Sequence, residues 1–314
     1  MNDTSTLNRS SGIARIKLFL GLSRTPHGLL DMATAALGAL LWLGAFPPWN
    51  VVLIGLITAF AGYTAVYALN DLVDYRVDKE RVRFGKLRAS AGYLDDVLIR
   101  HPIAHGLLSF KAGLYWTVSW ALLALAGAYI LNPVCVVIFL SGCLLETVYC
   151  LLLRVSYLRT FVSGAVKTSG AVAAVFAVDP KPSFVFVTLL FLWLFFWEVG
   201  GQNIPHDWAD IEEDRQLGTE TIAVRLGADK SAKIIFFSLV LAVGCGILIF
   251  SLSPVPYKLS FMMSAAAIGI LLLMMPAVRV LKTNDRKHAM ELFNRASYYP
   301  LALLGVVIFV LVIT

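Results

Sequence analysis

Apolar residues in this chain gather in runs of about twenty, each long enough to cross a bilayer core as a helix. The runs are apolar all round and lack the polar stripe of a helix on a soluble core. They fall at 26–46, 51–72, 108–131, 134–153, 160–178, 183–204, 232–252, 258–280 and 293–313. Turn formers separate them at Pro47-Pro48, Asn132-Pro133, Asp179-Pro180 and Ser253-Pro254. The pattern predicts an all-α integral membrane protein with nine transmembrane helices and its termini on opposite sides.

Composition agrees: 59% of the 314 residues are hydrophobic and the mean hydropathy is +0.77, too apolar for a soluble enzyme. The net charge of +6 changes the picture only through its placement. All of the 26 Lys and Arg except Lys167, Lys181 and Lys258 precede the first span or follow an even-numbered one. The positive-inside rule therefore puts the N-terminus and the even-numbered exits in the cytoplasm, and the C-terminus across the membrane, most simply the plasma membrane. Basic loops of this kind answer an anionic leaflet and imply no nucleic acid. Cys135, Cys143, Cys150 and Cys245 lie inside apolar runs, without zinc or disulfide spacing. Residues 1–22 form a cytoplasmic or interfacial segment, in which 13–22 is either a short interfacial helix or a simple transition into the first span. No cleavable signal peptide is expected, since residues 1–12 are polar.

Chemistry enters at two span ends. The second span ends in Asn70-Asp71-Leu72-Val73-Asp74-Tyr75-Arg76-Val77-Asp78, and the sixth in His206-Asp207-Trp208-Ala209-Asp210-Ile211-Glu212-Glu213-Asp214. Aspartates recur at i, i+3 and i+7 in both, within about 60° on one helix face. Both stripes lie on the cytoplasmic side and can face one another. Carboxylates gathered in one cavity repel unless cations neutralise them. Mg2+ binds through a few carboxylates together with substrate phosphate oxygens, which points to a diphosphate partner. Solvated acidic helix ends are the plain alternative, but helix C-termini disfavour carboxylates, and the repeated spacing argues for a shared role.

The segment Asn70 to Asp78 resembles the NDxxDxxxD motif of the UbiA-type intramembrane prenyltransferases. Asp207, Asp210 and Asp214 resemble the second motif of that family, and Gly218 to Gly227 its G-x-x-T-x-A-V-x-x-G tail. The resemblance covers nearly all of the chain, with a prenyltransferase domain at 23–314. It implies nine helices around a central cavity capped by cytoplasmic loops at 79–105 and 205–230. It also implies Mg2+ held by Asn70, Asp71, Asp74, Asp78, Asp207, Asp210 and Asp214, with Asp71, Asp74, Asp207 and Asp210 as the catalytic set. The donor would be a prenyl diphosphate and the acceptor a small, aromatic molecule such as a phenol of quinone biosynthesis. A non-aromatic lipophilic acceptor and terpene cyclisation fit the same fold.

Basic residues supply candidates for the diphosphate. Arg154 ends the fourth span, where the family carries a basic residue, although a membrane anchor would look the same. Arg24 precedes the first span. Lys167 lies inside the fifth, where a lysine faces a cavity or a partner such as Glu146 or Glu198. Gln202, Asn203 and Glu198 are polar positions just before the second motif, suited to orienting ligands, touching an acceptor or bonding helices together. Tyr67 and Tyr63 lie one and two turns above Asn70, facing a cavity or simply packing. His27 needs no special role, and His206 replaces a more usual asparagine. The chain departs from the family between Asp78 and His101, where a long basic loop leads to His101-Pro102-Ile103-Ala104-His105-Gly106 in place of an R-P-x-x-x-G segment. Lys86 and Arg88 could there take over the role of the missing arginine. A CDP-alcohol phosphotransferase would need an Asp-Gly and Ala-Arg motif that is absent. A transporter would place its charges at the midplane.

Overall fold

The computed structural model describes residues 12–83, 97–256 and 258–313. Among them the chain is helical throughout, without strands. The elements are α1 (Gly12–Leu22), α2 (Thr25–Leu43), α3 (Trp49–Val73), α4 (Tyr75–Arg83), α5 (Phe110–Leu131), α6 (Pro133–Leu151), α7 (Arg159–Val178) and α8 (Phe184–Trp197). After a wide turn come α9 (Ile204–Ala209), α10 (Ile211–Leu217), α11 (Ile222–Leu226), α12 (Ala228–Leu252) and α13 (Lys258–Gly269). A second wide turn leads to α14 (Met275–Thr283), α15 (Arg286–Ser297) and α16 (Tyr299–Ile313).

Among the described residues, eight stretches are long and apolar enough to cross a membrane: 49–73, 110–131, 133–151, 159–178, 184–209, 228–252, 258–283 and 286–313. The helix at the first predicted span, α2, has 19 residues but carries Asp31 and His27 and is not among the eight. Boundaries follow local chemistry. Asn132 caps α6, its Oδ1 accepting from Val134 N at 2.9 Å, with Pro133 in the first turn where its missing N–H costs nothing. Both wide turns, Glu198–Asn203 and Ile270–Met274, are π-helical and precede a proline by two residues, Pro205 and Pro276. Proline removes an i→i−4 donor, and the wider turn absorbs the defect. Ile204 N–H accordingly donates to Val199 O, five residues back.

Large apolar side chains such as Trp49, Leu53, Ile130 and Phe237 are exposed around the outside, as a lipid-facing surface requires. Trp193, Trp197, Leu190 and Tyr299 fill the interior between α8, α12 and α16. The helices approach closely where side chains are small. A methyl group on Gly38 of α2 would lie 2.7 Å from the Ala171 carbonyl oxygen of α7. At the end remote from the acidic motifs, polar bonds join the helices: Trp42 Nε1 to Asp179 at 3.0 Å, Asn132 to Phe176 O at 2.8 Å, and Ser253 to Leu41 O at 2.7 Å. Gly38→Ala is expected to destabilise the detergent-solubilised protein by about 1–3 kcal/mol, because a backbone carbonyl cannot move aside. Gly244→Ala, with open space around it in the interior of α12, is expected to leave thermal unfolding unchanged or slightly raise it.

Candidate active site

The two acidic motifs do not ride on unbroken helices. Asp74 falls between α3 and α4, and Asp210 between α9 and α10. Each middle aspartate therefore occupies a helix break (Asp210 at φ −106°, ψ 16°) while i→i−4 bonds resume beyond it, Asp78 N to Asp74 O at 3.0 Å and Asp214 N to Asp210 O at 2.9 Å. The expected single stripe is thus split. Asp71, Asp78, Asp207 and Asp214 are buried, whereas Asp210 is turned outward with its side chain 22% exposed. The tail after the second motif is capping chemistry. Gly218 ends α10 in the left-handed region at φ 65°, and Thr221 caps α11 by accepting from Val224 N.

A cavity of ≈ 580 Å3 opens between the motifs. Asn70, Asp74, Asp78 and Asp207 line it, while Asp71, Asp210 and Asp214 stand behind that wall. From Asp74 the lining continues down α3 to Val51, about 35 Å at 1.5 Å per residue, with Val178 and Leu131 at the far end. Its walls there are mostly small and apolar.

Protein cations compensate the carboxylates. His101 Nδ1 lies 3.0 Å from Asp71 Oδ1 and 2.9 Å from Asp78 Oδ2. Burial would lower its pKa, but Asp78 and Asp71 outweigh that and raise it to about 9, so the imidazole is charged at neutral pH. Arg81 reaches Asp214 at 3.2 Å, Glu213 at 3.5 Å and Asp78 at 3.7 Å, bridging the two motifs. Arg24 touches Asn70 Oδ1 at 3.1 Å and Asp71 at 3.6 Å. Burial pushes the Asp78 carboxyl up, yet His101 and Arg81 hold it below its ordinary range. Asp214 goes the other way, raised by burial and by the nearby Asp207. Burial and Asp78 likewise raise Asp74.

Of the remaining candidates, Lys167 lines the cavity and pairs with Asp31 at 2.6 Å and Glu198 at 3.9 Å. Tyr67, Tyr63, Gln202 and Asn203 line it too. Gln202 bonds Phe293 O and Ser297, and Asn203 Nδ2 donates to Tyr149 OH at 3.1 Å. Arg154 lies outside the cavity, paired with exposed Glu80 at 2.5 Å. Lys86 and Arg88 lie outside the described residues. Sequence reasoning passed over His101, Arg81, Arg159 and Asp31. Arg159 is buried, lines the cavity and stacks 4.0 Å above the Tyr149 ring. It was hidden among the positive-inside residues, as was Arg81. Asp31, an acid inside an apolar run, was a further signal for the cluster whose Lys167, Glu198 and Tyr67 the sequence had already marked.

The oxygens at this site suit a hard divalent cation. Asp71 Oδ1 and Asp78 Oδ2, close to His101 Nδ1, and Asp207 Oδ2 are buried without a hydrogen-bond donor. Ligand atoms of Asp71, Asp78 and His101 lie within 4.8 Å of one another. Carboxylate oxygens so placed match the ligand preference of Mg2+.

Comparison with known proteins gives the class. A model of the UbiA prenyltransferase family matches residues 32–304. The chain belongs to that family and is a membrane-embedded, multi-pass prenyltransferase. Among its relatives are digeranylgeranylglyceryl phosphate synthases of Methanosarcina mazei, 25% identical over 92% of this chain and 97% of that one, and Methanosarcina barkeri, 26% identical over 92% and 97%. The fold matches the apo structure of a UbiA homolog from Aeropyrum pernix (TM-score 0.71, 19% identity, 90% of this chain and 97% of that one). It also matches a UbiA homolog from Archaeoglobus fulgidus bound to DMAPP and Mg2+ (TM-score 0.67, 14% identity, 95% and 100%). Arg81→Met, which strips Asp78 and Asp214 of their shared cation, is expected to cost roughly 3 kcal/mol of stability. Titrating Mg2+ during thermal unfolding should recover part of that loss.

Proposed function

We propose that this chain transfers an isoprenoid group from a prenyl diphosphate to a small acceptor inside the bilayer, with Mg2+ as cofactor and diphosphate as the other product. One observation carries the reading. Both carboxylate motifs, with Arg81 and Arg159, meet at one end of a cavity whose walls, beyond a polar cluster around Lys167, are mostly apolar and run the length of a membrane span. The DMAPP and Mg2+ in the Archaeoglobus homolog support the same donor chemistry here.

Asn70, Asp74, Asp78 and Asp207 on the cavity wall, with Asp71 beside Asp78, would hold the metal, and Asp210 and Asp214 would tune them from behind. Bound Mg2+ supplies Lewis-acid neutralisation of the diphosphate and eases its departure. Arg159 and Arg24 add positive charge for the same oxygens, and Lys86 and Arg88 belong to the same proposed set. The apolar walls take the isoprenoid tail and keep water from its reactive carbon. Tyr67 and Tyr63 line that space, where an aromatic ring would stabilise a developing cation. Asn203 Oδ1, buried without a hydrogen bond, offers an acceptor position for a ligand donor.

In this reading α2 is a ninth crossing, the motifs face the cytoplasm and the C-terminus lies across the membrane. Two acceptor classes compete. A phenol follows from the sequence reading, and a glyceryl phosphate ether is supported by the names of the Methanosarcina relatives. The purified protein in lipid is expected to release diphosphate from a geranyl-to-polyprenyl series only with Mg2+. Asp74→Asn and Asp207→Asn should each lower the rate at least about 100-fold. Folded protein that releases none from any donor would sink the proposal.

A further inference from the structure

One turn below the motif carboxylates, the cavity wall holds a second polar cluster, of which the proposed donor site uses only Tyr67. Asp31 of α2, Tyr67 of α3, Lys167 and Ser163 of α7, and Glu198 of the π turn meet there. Ser163 and Lys167 lie one and two turns beyond Arg159, about 6 and 12 Å along α7 toward the bilayer interior. The hydrogen bonds divide unequally between the two carboxylates. Asp31 Oδ2 accepts from Lys167 Nζ at 2.6 Å and from Tyr67 OH at 2.5 Å. Lys167 spends another proton on Tyr67 OH at 3.0 Å. Glu198 Oε1 accepts from Ser163 at 2.7 Å, but its Oε2, buried in a residue only 6% exposed, has no hydrogen bond. The Lys167 ammonium stops 3.9 Å short of it. A buried carboxylate oxygen without a donor costs free energy unless a ligand supplies an N–H or O–H.

Resting on the transferase reading above, we propose that Glu198 is the proton acceptor for a hydroxyl-bearing acceptor substrate, and that Asp31 positions Lys167 beside it. The donor C1–O bond breaks and its electron pair leaves on the diphosphate. A lone pair of the acceptor oxygen forms the new C1–O bond. The O–H electron pair stays on that oxygen while the proton passes to Glu198 Oε2, so the products are an ether, diphosphate and a protonated Glu198. Lys167 sets a positive charge 3.9 Å from Oε2 and is itself held by Asp31 and Tyr67, which is why the saturated carboxylate is the positioning one.

The test uses the full chain in lipid nanodiscs with Mg2+ and geranylgeranyl diphosphate. Two hydroxyl acceptors are supplied, 4-hydroxybenzoate and geranylgeranylglyceryl phosphate, and diphosphate, ether and free prenyl alcohol are measured separately. Glu198→Gln keeps the shape and the Ser163 bond but cannot take a proton. It is expected to lower kcat for ether formation about 100-fold, to leave the donor KM within about twofold, and to divert released prenyl groups to the alcohol. Glu198→Asp, which withdraws the carboxylate by one methylene, is the second variant: about a tenfold loss at unchanged donor KM supports the assignment. Wild-type ether formation in either folded variant overturns it. So does a wild-type enzyme that releases diphosphate yet alkylates carbon, or that transfers to neither hydroxyl acceptor, outcomes that leave the transferase reading standing. No diphosphate release by the wild type is the separate failure that removes both.

Discussion

Arg81 reaches from the end of the second span's extension into the second motif, touching Asp78 on one side and Glu213 and Asp214 on the other. His101 closes on Asp71 and Asp78 from the following loop, and Arg24 comes in from the start of α2. Buried carboxylates at the edge of a bilayer are tolerable only where positive charge meets them. The helix ends, the loop geometry and the relative placement of the two motifs all answer that requirement. His101 adopts a left-handed backbone, φ 51°, which costs energy in a residue other than glycine. The two carboxylates it bridges offset that cost.

Below this charged layer the cavity changes character. Small and apolar side chains line it toward Val51 and Val178, and the polar atoms that remain are gathered in the Asp31–Lys167–Glu198 cluster. The π turn at Glu198–Asn203 is what makes the cluster possible. It sets Glu198, Gln202 and Asn203 among α7, α15 and the cavity while Pro205 restarts the helix carrying Asp207. One local backbone defect thus serves both polar layers, a common use of such turns at functional sites.

Much of this was legible in advance. The predicted spans from 51–72 to 258–280 start or end within a few residues of α3, α5, α6, α7, α8–α9, α12 and α13–α14, because bilayer thickness imposes a length that composition alone reveals. The last span begins earlier than predicted: α15 is amphipathic and polar on one face, so its pattern hid it. The motif residues stood out by spacing. Their division into cavity-lining Asn70, Asp74, Asp78 and Asp207 and withdrawn Asp71, Asp210 and Asp214 did not, since a constant 100° per residue cannot anticipate breaks at Asp74 and Asp210.

By itself, the sequence determined the membrane class, the span lengths, the family resemblance and the pairing of two acidic motifs, all properties carried by local composition and spacing. Only the tertiary structure decided which cations serve which acids. Arg159 and Arg154 look alike to a charge count, yet one is buried over Tyr149 in the cavity and the other pairs with Glu80 at the surface. Asp31 and Lys167 are 136 residues apart and meet at 2.6 Å. Helix packing makes such encounters, through glycines such as Gly38 that let α2 and α7 approach, and no short-range pattern encodes the partner.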